Sequence, residues 1–458
     1  MHLDNFEYFF SPLQWQVILT IAQIAKDLNL RAFAVGGIVR DAVINQHQQG
    51  CSLSFPKDLD LVFDGAEQAG IKVAIALHQI FPQSKLQIHE KFQTAELLWQ
   101  GLANHEDFAI DMATARREVY AYAGANPQVT ATTIAEDLRR RDFTINALAL
   151  KLDPDLGTDG EVIDQFEGLR DLAARQVRAI REGSFEEDPR RLFRAVRFAI
   201  RLGLAIAPET YTEIINTTTS GLHDAIGGAR LRAELLYTLA EPKAVAMFSL
   251  LDKLGILRCI HPDLHLPNHE NNTFKQQWRR SQYWLNSLKH LDKKILSISP
   301  LQIGLELLLS YLEPEIATQL DLGLTPDQQN RLFKLAELTK DLPSAISNSS
   351  KVSELTQYLQ KFDAQTLILV AVKSEPEQSR LVWQYLTRWQ LVKAPVTGDD
   401  LKQLGYPSGK QMGALLQILR SLMLDGEITN QSEAIAYLQK HHQRDYSALR
   451  STPTQEFF

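Results

Sequence analysis

The stretch Lys57-Asp58-Leu59-Asp60-Leu61-Val62-Phe63 restricts the fold of this chain more than any other. Polar and apolar residues alternate at its start and bulky, β-branched residues follow, the pattern of a strand with one buried face. Side chains alternate across a strand, so Asp58 and Asp60 leave the same face with their carboxylates side by side. Such a pair repels itself unless something cationic joins it. Mg2+ takes carboxylate oxygens and substrate phosphates together, and a metal pair can clamp the attacking and leaving oxygens of a phosphoryl transfer. Two solvated surface acids would leave the same trace, so the neighbouring segments decide between the readings.

Upstream, residues 12–30 carry Leu13, Val17, Ile18, Ile21, Ile24, Ala25 and Leu28 at helical spacing, which predicts a core-covering helix. Arg31 to Val35 reads as a short buried strand, broken by Gly36-Gly37, with a helix over Ile38 to Asn45. Strand, double glycine and helix start form a phosphate cradle, because glycine lets the backbone approach an anion and the first helical N–H groups face it. Arg40 lies one turn in, placed to reach a phosphate oxygen. A plain tight turn explains a glycine pair equally well.

Downstream, a helix is expected over Ala66 to Phe81, then strands over Ala95 to Gln100 and Asp107 to Ala113. In the second, Ala109 and Asp111 share a face, so Asp111 joins Asp58 and Asp60 as a third carboxylate or stands as an edge-strand acid. Arg116 to Thr133 is irregular, with turns at Gly124 and Pro127, and is long enough for a mobile loop over a site. Three arginines, Arg139 to Arg141, then precede an amphipathic turn. There Arg141, Asp142 and Asn146 are placed to hold phosphate and ribose hydroxyls, or form a solvated charged face. Asp153 to Gly160 is a turn-rich loop joining strands that end at Phe166. From Leu169 on the chain reads as helices, with polar breaks near Pro267 to Thr273, Pro343 to Ser353 and Pro395 to Asp400. The end, Ser451 to Phe458, reads as frayed.

The second informative stretch runs from Ser184 to Ala199. Asp188 before Pro189 suits a helix N-cap, which is also the plain structural role for that aspartate. At about 100° per residue, Arg190, Arg194, Arg197 and Arg201 share one side, and Leu192, Phe193, Val196, Ala199 and Ile200 the other. The cationic stripe contains no interleaved acid. Asp188 and Arg191 lie three apart and are neighbours on a helix. A carboxylate acceptor beside guanidinium donors matches cytosine and adenine, whose exocyclic amine adjoins a ring-nitrogen acceptor. Uracil and guanine present a carbonyl and a ring N–H there and are rejected, since unmatched buried hydrogen-bonding groups discriminate strongly.

The chain has 458 residues, 45% hydrophobic and 22% charged, which by length suggests about two to four soluble domains. A net charge of −7 means that a nucleic-acid partner meets local basic patches rather than a global field. Two cysteines, Cys51 and Cys259, form no disulfide framework and fit a reducing cytoplasm. The start shows no basic n-region or apolar core of a signal peptide. The most apolar run, Ile303 to Leu312, is too short to span a membrane and contains Glu306.

Taken in order, several segments resemble the class II tRNA nucleotidyltransferase and bacterial poly(A) polymerase family. They are Val35-Gly36-Gly37-Ile38-Val39-Arg40-Asp41, Lys57-Asp58-Leu59-Asp60, Ile110-Asp111-Met112-Ala113-Thr114-Ala115-Arg116, the run Asp137 to Ala147, and Glu187-Asp188-Pro189-Arg190-Arg191. A weaker match is Ala229 to Leu235. The likeness covers roughly residues 31 to 260. It implies an α/β polymerase-beta-like head, a mixed sheet with flanking helices, followed by an all-α neck, body and tail. The expected bounds are 1–150 for the head, 151–205 for the neck with the base-reading helix, 206–345 for the body and 346–458 for a tRNA-binding tail.

The same resemblance implies addition of C and A to tRNA 3′ ends from CTP and ATP. CC-only or A-only addition, poly(A) synthesis and non-catalytic RNA binding are the alternatives. By motif, Asp58 and Asp60 would hold Mg2+, with Asp111 as third acid. Gly36, Gly37 and Arg40 would meet the triphosphate, and Arg141, Asp142 and Asn146 the nucleotide with its ribose. Asp188 and Arg191 would pair with the base, supported by Arg194 and Arg197. Body and tail would grip the acceptor and TΨC arms, with no membrane partner. Some relatives carry a metal-dependent His-Asp phosphohydrolase domain. Here His223-Asp224 lacks companion ligands and reads as accidental. Tyr122-Ala123-Gly124-Ala125 has a form common to several subtypes and does not separate them.

Overall fold

The computed structural model describes residues 2–3, 6–46, 55–103, 106–119, 128–154, 160–221, 228–267, 273–290 and 297–442. Cys51, the Tyr122 to Ala125 segment, the His223-Asp224 pair and the stretch from Ser451 to Phe458 lie outside the described residues. Two compact units emerge. The first is Met1–His265 with Asp321–Gly323, and the second Leu266–Leu320 with Leu324–Phe458.

The first unit is built on a mixed sheet of eight strands. In chain order they are β1 (His2–Leu3), β2 (Arg31–Val35), β3 (Asp58–Asp64), β4 (Lys85–His89), β5 (Thr94–Ala103), β6 (Glu106–Thr114), then, past a separate β7–β8 hairpin (Arg116–Val119 and Gln128–Ala131), β9 (Leu148–Leu152) and β10 (Gly160–Asp164). Their spatial order is β1-β10-β9-β2-β3-β6-β5-β4. β3 and β6 run parallel, and every other pairing in the sheet is antiparallel. The head sheet thus extends past residue 150, because β10 pairs with β9 across the loop after Asp153.

Alternation along β3 decides what each face of the sheet does. Leu59, Leu61 and Phe63 point into the main core, with Leu97, Trp99, Phe108 and Ile110 from β5 and β6. Two helices close that side, α1 (Pro12–Asp27) and α3 (Ala69–Ile80), contributing Val17, Ile21, Val73 and Leu77. Leu13 and Leu28, predicted for the buried stripe, are 40% and 44% exposed; Leu13 lies in the first turn of α1 and Leu28 is its C-cap residue. On the opposite face Val62 joins a smaller core with Phe33, Val35, Ile134 and Leu138. Asp58 and Asp60 share that opposite face, further toward the start of β3.

Between these strands lie α2 (Gly37–Gln46) and α4 (Ile134–Arg139). After the sheet come α5 (Gly168–Ala173), α6 (Ser184–Glu187), α7 (Arg190–Leu202), α8 (Pro208–Thr219), α9 (Gly228–Ala240) and α10 (Ala244–Lys253). The expectation of helices alone beyond Leu169 needs one correction: Gln176–Val177 and Ala205–Ile206 pair as a short parallel ladder. Two residues per strand are too few to leave a period-2 trace in the sequence.

The second unit is helical throughout its described residues. Helix Pro300–Leu309 holds the apolar run and sets Glu306, fully buried, against Arg331 at 2.8 Å and Gln365 at 2.7 Å. Among the described residues no helix is long and apolar enough to cross a membrane.

Candidate active site

A cleft of about 990 Å³ opens in the first unit, and Gly36, Gly37, Arg40, Asp58, Asp60, Asp111, Arg141, Asp142, Asn146, Asp188, Arg191, Arg194 and Arg197 all line it. Motifs more than 150 positions apart in sequence therefore converge on one cavity.

One wall is acidic. β3 and β6 lie side by side in register, so Asp60 stands directly across from Asp111, and Asp58 lies two residues up the same face. Asp60 opens onto the cleft yet lies deep among protein atoms. That burial raises its carboxyl above the usual range, with Asp58 adding to the rise against the pull of Arg141 and Arg194. Asp111 is raised to about 6, by burial first and then by Asp60, Glu96 and Asp58. Among the described residues, no hydrogen-bond donor or cation touches any of these three carboxylates.

The donor set suits a hard divalent cation that keeps water and substrate oxygens. Mg2+ is usually held by one or two carboxylates plus phosphates rather than by a full protein cage. Among the described residues no group of three or more His, Cys, Asp or Glu side chains is placed to hold a metal ion, so the three acids do not make a three-ligand site by themselves. Asp58 and Asp60 are the pair that fits, with Asp111 beside them.

The floor is the turn from β2 into α2. Gly36 has φ +70° and its N–H donates to the Leu148 carbonyl at 3.0 Å, which leaves the chain free to start α2 at Gly37. A Cβ at Gly36 would lie 3.1 Å from Arg141 Nη1. Arg141 is steered by Asp137, whose Oδ2 accepts from Nη2 at 3.2 Å, while Arg141 Nε is buried without a hydrogen-bond partner. This leaves one cationic N–H unsatisfied beside the glycine turn, an arrangement that asks for an explanation. Asp137 is itself fully buried and also accepts from Arg140 and the Arg116 backbone. Burial would raise it, but Arg140 and Arg141 hold it below the usual carboxylate range.

Arg40 does not extend freely toward an anion. It is buried, donating to Asn146 Oδ1 at 2.6 Å and to Asp41 Oδ1 at 2.8 Å. Asn146 Nδ2 donates on to Asp142 Oδ1 at 3.1 Å, and Asp142 Oδ2 accepts from Arg194 Nε at 2.6 Å. Burial alone would push Asp142 up, but Arg194, Asn146 and the Phe143 N–H keep it below the usual range. The Phe198 ring lies 5.4 Å from Arg40 Cζ and 5.3 Å from Arg194 Cζ. One aromatic ring thus steadies cations from α2 and α7.

The far wall is α7. Its stripe carries no acid of its own, yet each arginine meets one. Arg190 pairs with Asp188 at 2.8 Å, Arg194 with Asp142 at 2.6 Å, Arg197 with Glu234 on α9 at 2.7 Å and Arg201 with Glu241 at 3.9 Å. α7 starts at Arg190 with Pro189 at its N-cap, so Asp188 sits one position before the cap it was expected to fill, although its carboxylate accepts the Arg190 N–H at 3.2 Å. Arg191 is buried, donating to Ser184 Oγ at 2.6 Å and to the Arg140 carbonyl at 2.8 Å. Asp188 and Arg191 share the cleft wall but do not touch through their side chains. Sequence reasoning missed Asp137, Phe198 and Glu234. Asp137 lies four residues before Arg141, a spacing that could have flagged it.

The model of the poly(A) polymerase head domain matches residues 32–178, and that of a probable RNA and SrmB-binding site of polymerase A matches 203–266. An A-adding tRNA nucleotidyltransferase of Geobacter sulfurreducens is 29% identical over 422 residues, 90% of this chain and 45% of that one. Another, from Halalkalibacterium halodurans, is 27% identical over 92% of this chain and 91% of its own length. The chain thus spans less than half of the first relative and nearly all of the second. A CCA-adding enzyme in its apo form II shares the fold, with a TM-score of 0.78 at 23% identity over 96% of this chain and 99% of that one. Residues 32–178 and 203–266 thus match the head and RNA-binding models of poly(A) polymerases, and over most of its length the chain is similar to tRNA nucleotidyltransferases.

Proposed function

We propose that this protein is a template-independent tRNA 3′-end nucleotidyltransferase that adds C, A or both from CTP and ATP to build or repair the CCA terminus. One observation carries the reading: a face of three carboxylates and an arginine-bearing helix line the same cleft, with a glycine turn between them. Asp58 and Asp60 hold Mg2+, and Asp111 is the third acid of the set. When bound, that cation supplies Lewis acidity to a hydroxyl and neutralises phosphate charge. The start of α2 at Gly36 and Gly37, with Arg40 and Arg141, receives the triphosphate. Asp142 and Asn146 meet the ribose. Asp188 and Arg191 read the base edge, and Arg194 and Arg197 fix the wall behind it. The 3′-hydroxyl of the RNA then attacks the α-phosphate in line and pyrophosphate leaves. Positioning and charge neutralisation supply most of the acceleration.

With β10 part of the head sheet, we assign residues 165–205 to a neck, 206–345 to a body and 346–458 to a tail, with body and tail holding the acceptor and TΨC arms of tRNA. A-only addition is the second reading, favoured by the names of the two relatives. The test offers tRNA ending at the discriminator base, at C and at CC, with CTP, ATP or both supplied in Mg2+. Full CCA synthesis on the shortest primer supports the first reading. Extension of the CC-ended primer alone, with ATP alone, supports the second. Tight tRNA binding with no extension of any primer ends both.

A further inference from the structure

Arg190 occupies Asp188 in a way that helix capping does not require. Its Nε and Nη2 each donate to a separate carboxylate oxygen at 2.8 Å. This two-point, charge-assisted fork is among the strongest ways to fill a carboxylate. Both residues line the cleft, and their side chains are 13% exposed for Asp188 and 36% for Arg190, so solvent screens the pair only in part. Arg191, meanwhile, is engaged with Ser184 and the Arg140 carbonyl. The acceptor that would recognise a base is therefore already taken, by a cation from the same helix.

A base with an exocyclic amine offers one N–H to a carboxylate. To use Asp188, it must take an oxygen from Arg190. Uracil and guanine present a carbonyl at that position and gain nothing from the oxygen. We propose that Arg190 is an internal competitor for Asp188, holding the carboxylate until a base bearing an amine displaces it. Arg190 thereby narrows the affinity gap between CTP or ATP and UTP or GTP in binding, while keeping the empty site ordered and neutral. This deepens the base-reading role given to Asp188 and rests on it. The Arg190 charge also attracts any triphosphate, but that attraction is common to all four nucleotides. Competition for the carboxylate touches two of them, so a ratio separates the effects.

The test measures equilibrium binding of CTP, ATP, UTP and GTP to the full chain in Mg2+ without RNA. Wild type is compared with Arg190→Leu, which removes charge and fork, and Arg190→Lys, which keeps the charge and loses the fork. The ratio of the UTP to the CTP dissociation constant is expected to rise about three- to tenfold in Arg190→Leu. A smaller rise of the same sign is expected in Arg190→Lys, which decides alone if Arg190→Leu does not fold. A ratio that stays constant or falls overturns the proposal. Asp188→Asn separates the two levels: a collapsed ratio there keeps the base-reading role, whatever Arg190 does. A ratio unmoved by Asp188→Asn removes that role, and the proposal with it.

Discussion

The two walls of the cleft treat charge in opposite ways. On the β3–β6 wall, Asp58, Asp60 and Asp111 share a face without a contacting cation among the described residues, and Asp60 and Asp111 are pushed toward protonation. On the α7 wall every arginine of the stripe is matched by a carboxylate, and Asp142 and Asp188 are held ionised. Charge stays uncompensated where a ligand must bring the opposite sign. It is compensated where side chains must hold a shape before the ligand arrives. The first wall stores repulsion that a bound cation would relieve, and the second is ordered by its own ion pairs.

The sharpest way to break this comparison is Asp60→Asn. It should lower nucleotide incorporation by at least on the order of 10³, and the unfolding midpoint without divalent metal should stay level or rise. A marked loss of stability would show that Asp60 is a structural residue. On the other wall the signs reverse. Arg194→Met strands the Asp142 carboxylate and should cost about 2–3 kcal/mol at neutral pH, discounted for the partly open guanidinium. The folded pKa of Asp142 is depressed, so its contribution is present above the unfolded value of about 4 and lost as pH falls through the folded one. The gap between variant and wild type in denaturant titrations should close as pH drops below about 4.

Between the walls, Gly36→Ala forces a left-handed backbone on a residue with a Cβ and crowds Arg141. We expect a loss of about 1–2 kcal/mol in chemical unfolding, and a raised KM for CTP and ATP alike. Asp111→Asn probes the stored repulsion directly. Its folded pKa is raised to about 6, so the ionised carboxylate weakens the fold above that pH and costs nothing below the unfolded value. The variant should match wild type near pH 4 and gain about 1 kcal/mol at pH 7.5 in EDTA, with solvent screening discounted. Saturating Mg2+ should reverse the order. The smallest effect belongs to Arg201→Gln at the outer end of the stripe. That arginine is about half exposed and 3.9 Å from Glu241, so stability should move by under about 0.5 kcal/mol and KM for nucleotides not at all.

Local pattern carried much of this site. Alternation placed Asp58 and Asp60 on one face, and the Gly36-Gly37 break predicted a strand turning into a helix. The spacing of Leu192, Phe193 and Val196 predicted which side of α7 is buried, and all three are. Alternation alone leaves Asp111 open between a third carboxylate and an edge-strand acid, because its role depends on which strand lies beside it. The helical period says which face is apolar but not where the helix ends, and Leu13 and Leu28 are exposed at the two ends of α1.

The sequence by itself determined the periodic features: an acidic strand face, a glycine turn and a cationic helix, each written in the repeat of a single element. The tertiary structure decided the partners. Arg194 finds Asp142 across 52 positions and Arg40 finds Asn146 across 106. The β3–β6 pairing sets Asp111 beside Asp60. Periodicity is a short-range property of a helix or strand, whereas an ion pair exists only once packing has brought its two charges within a few ångströms.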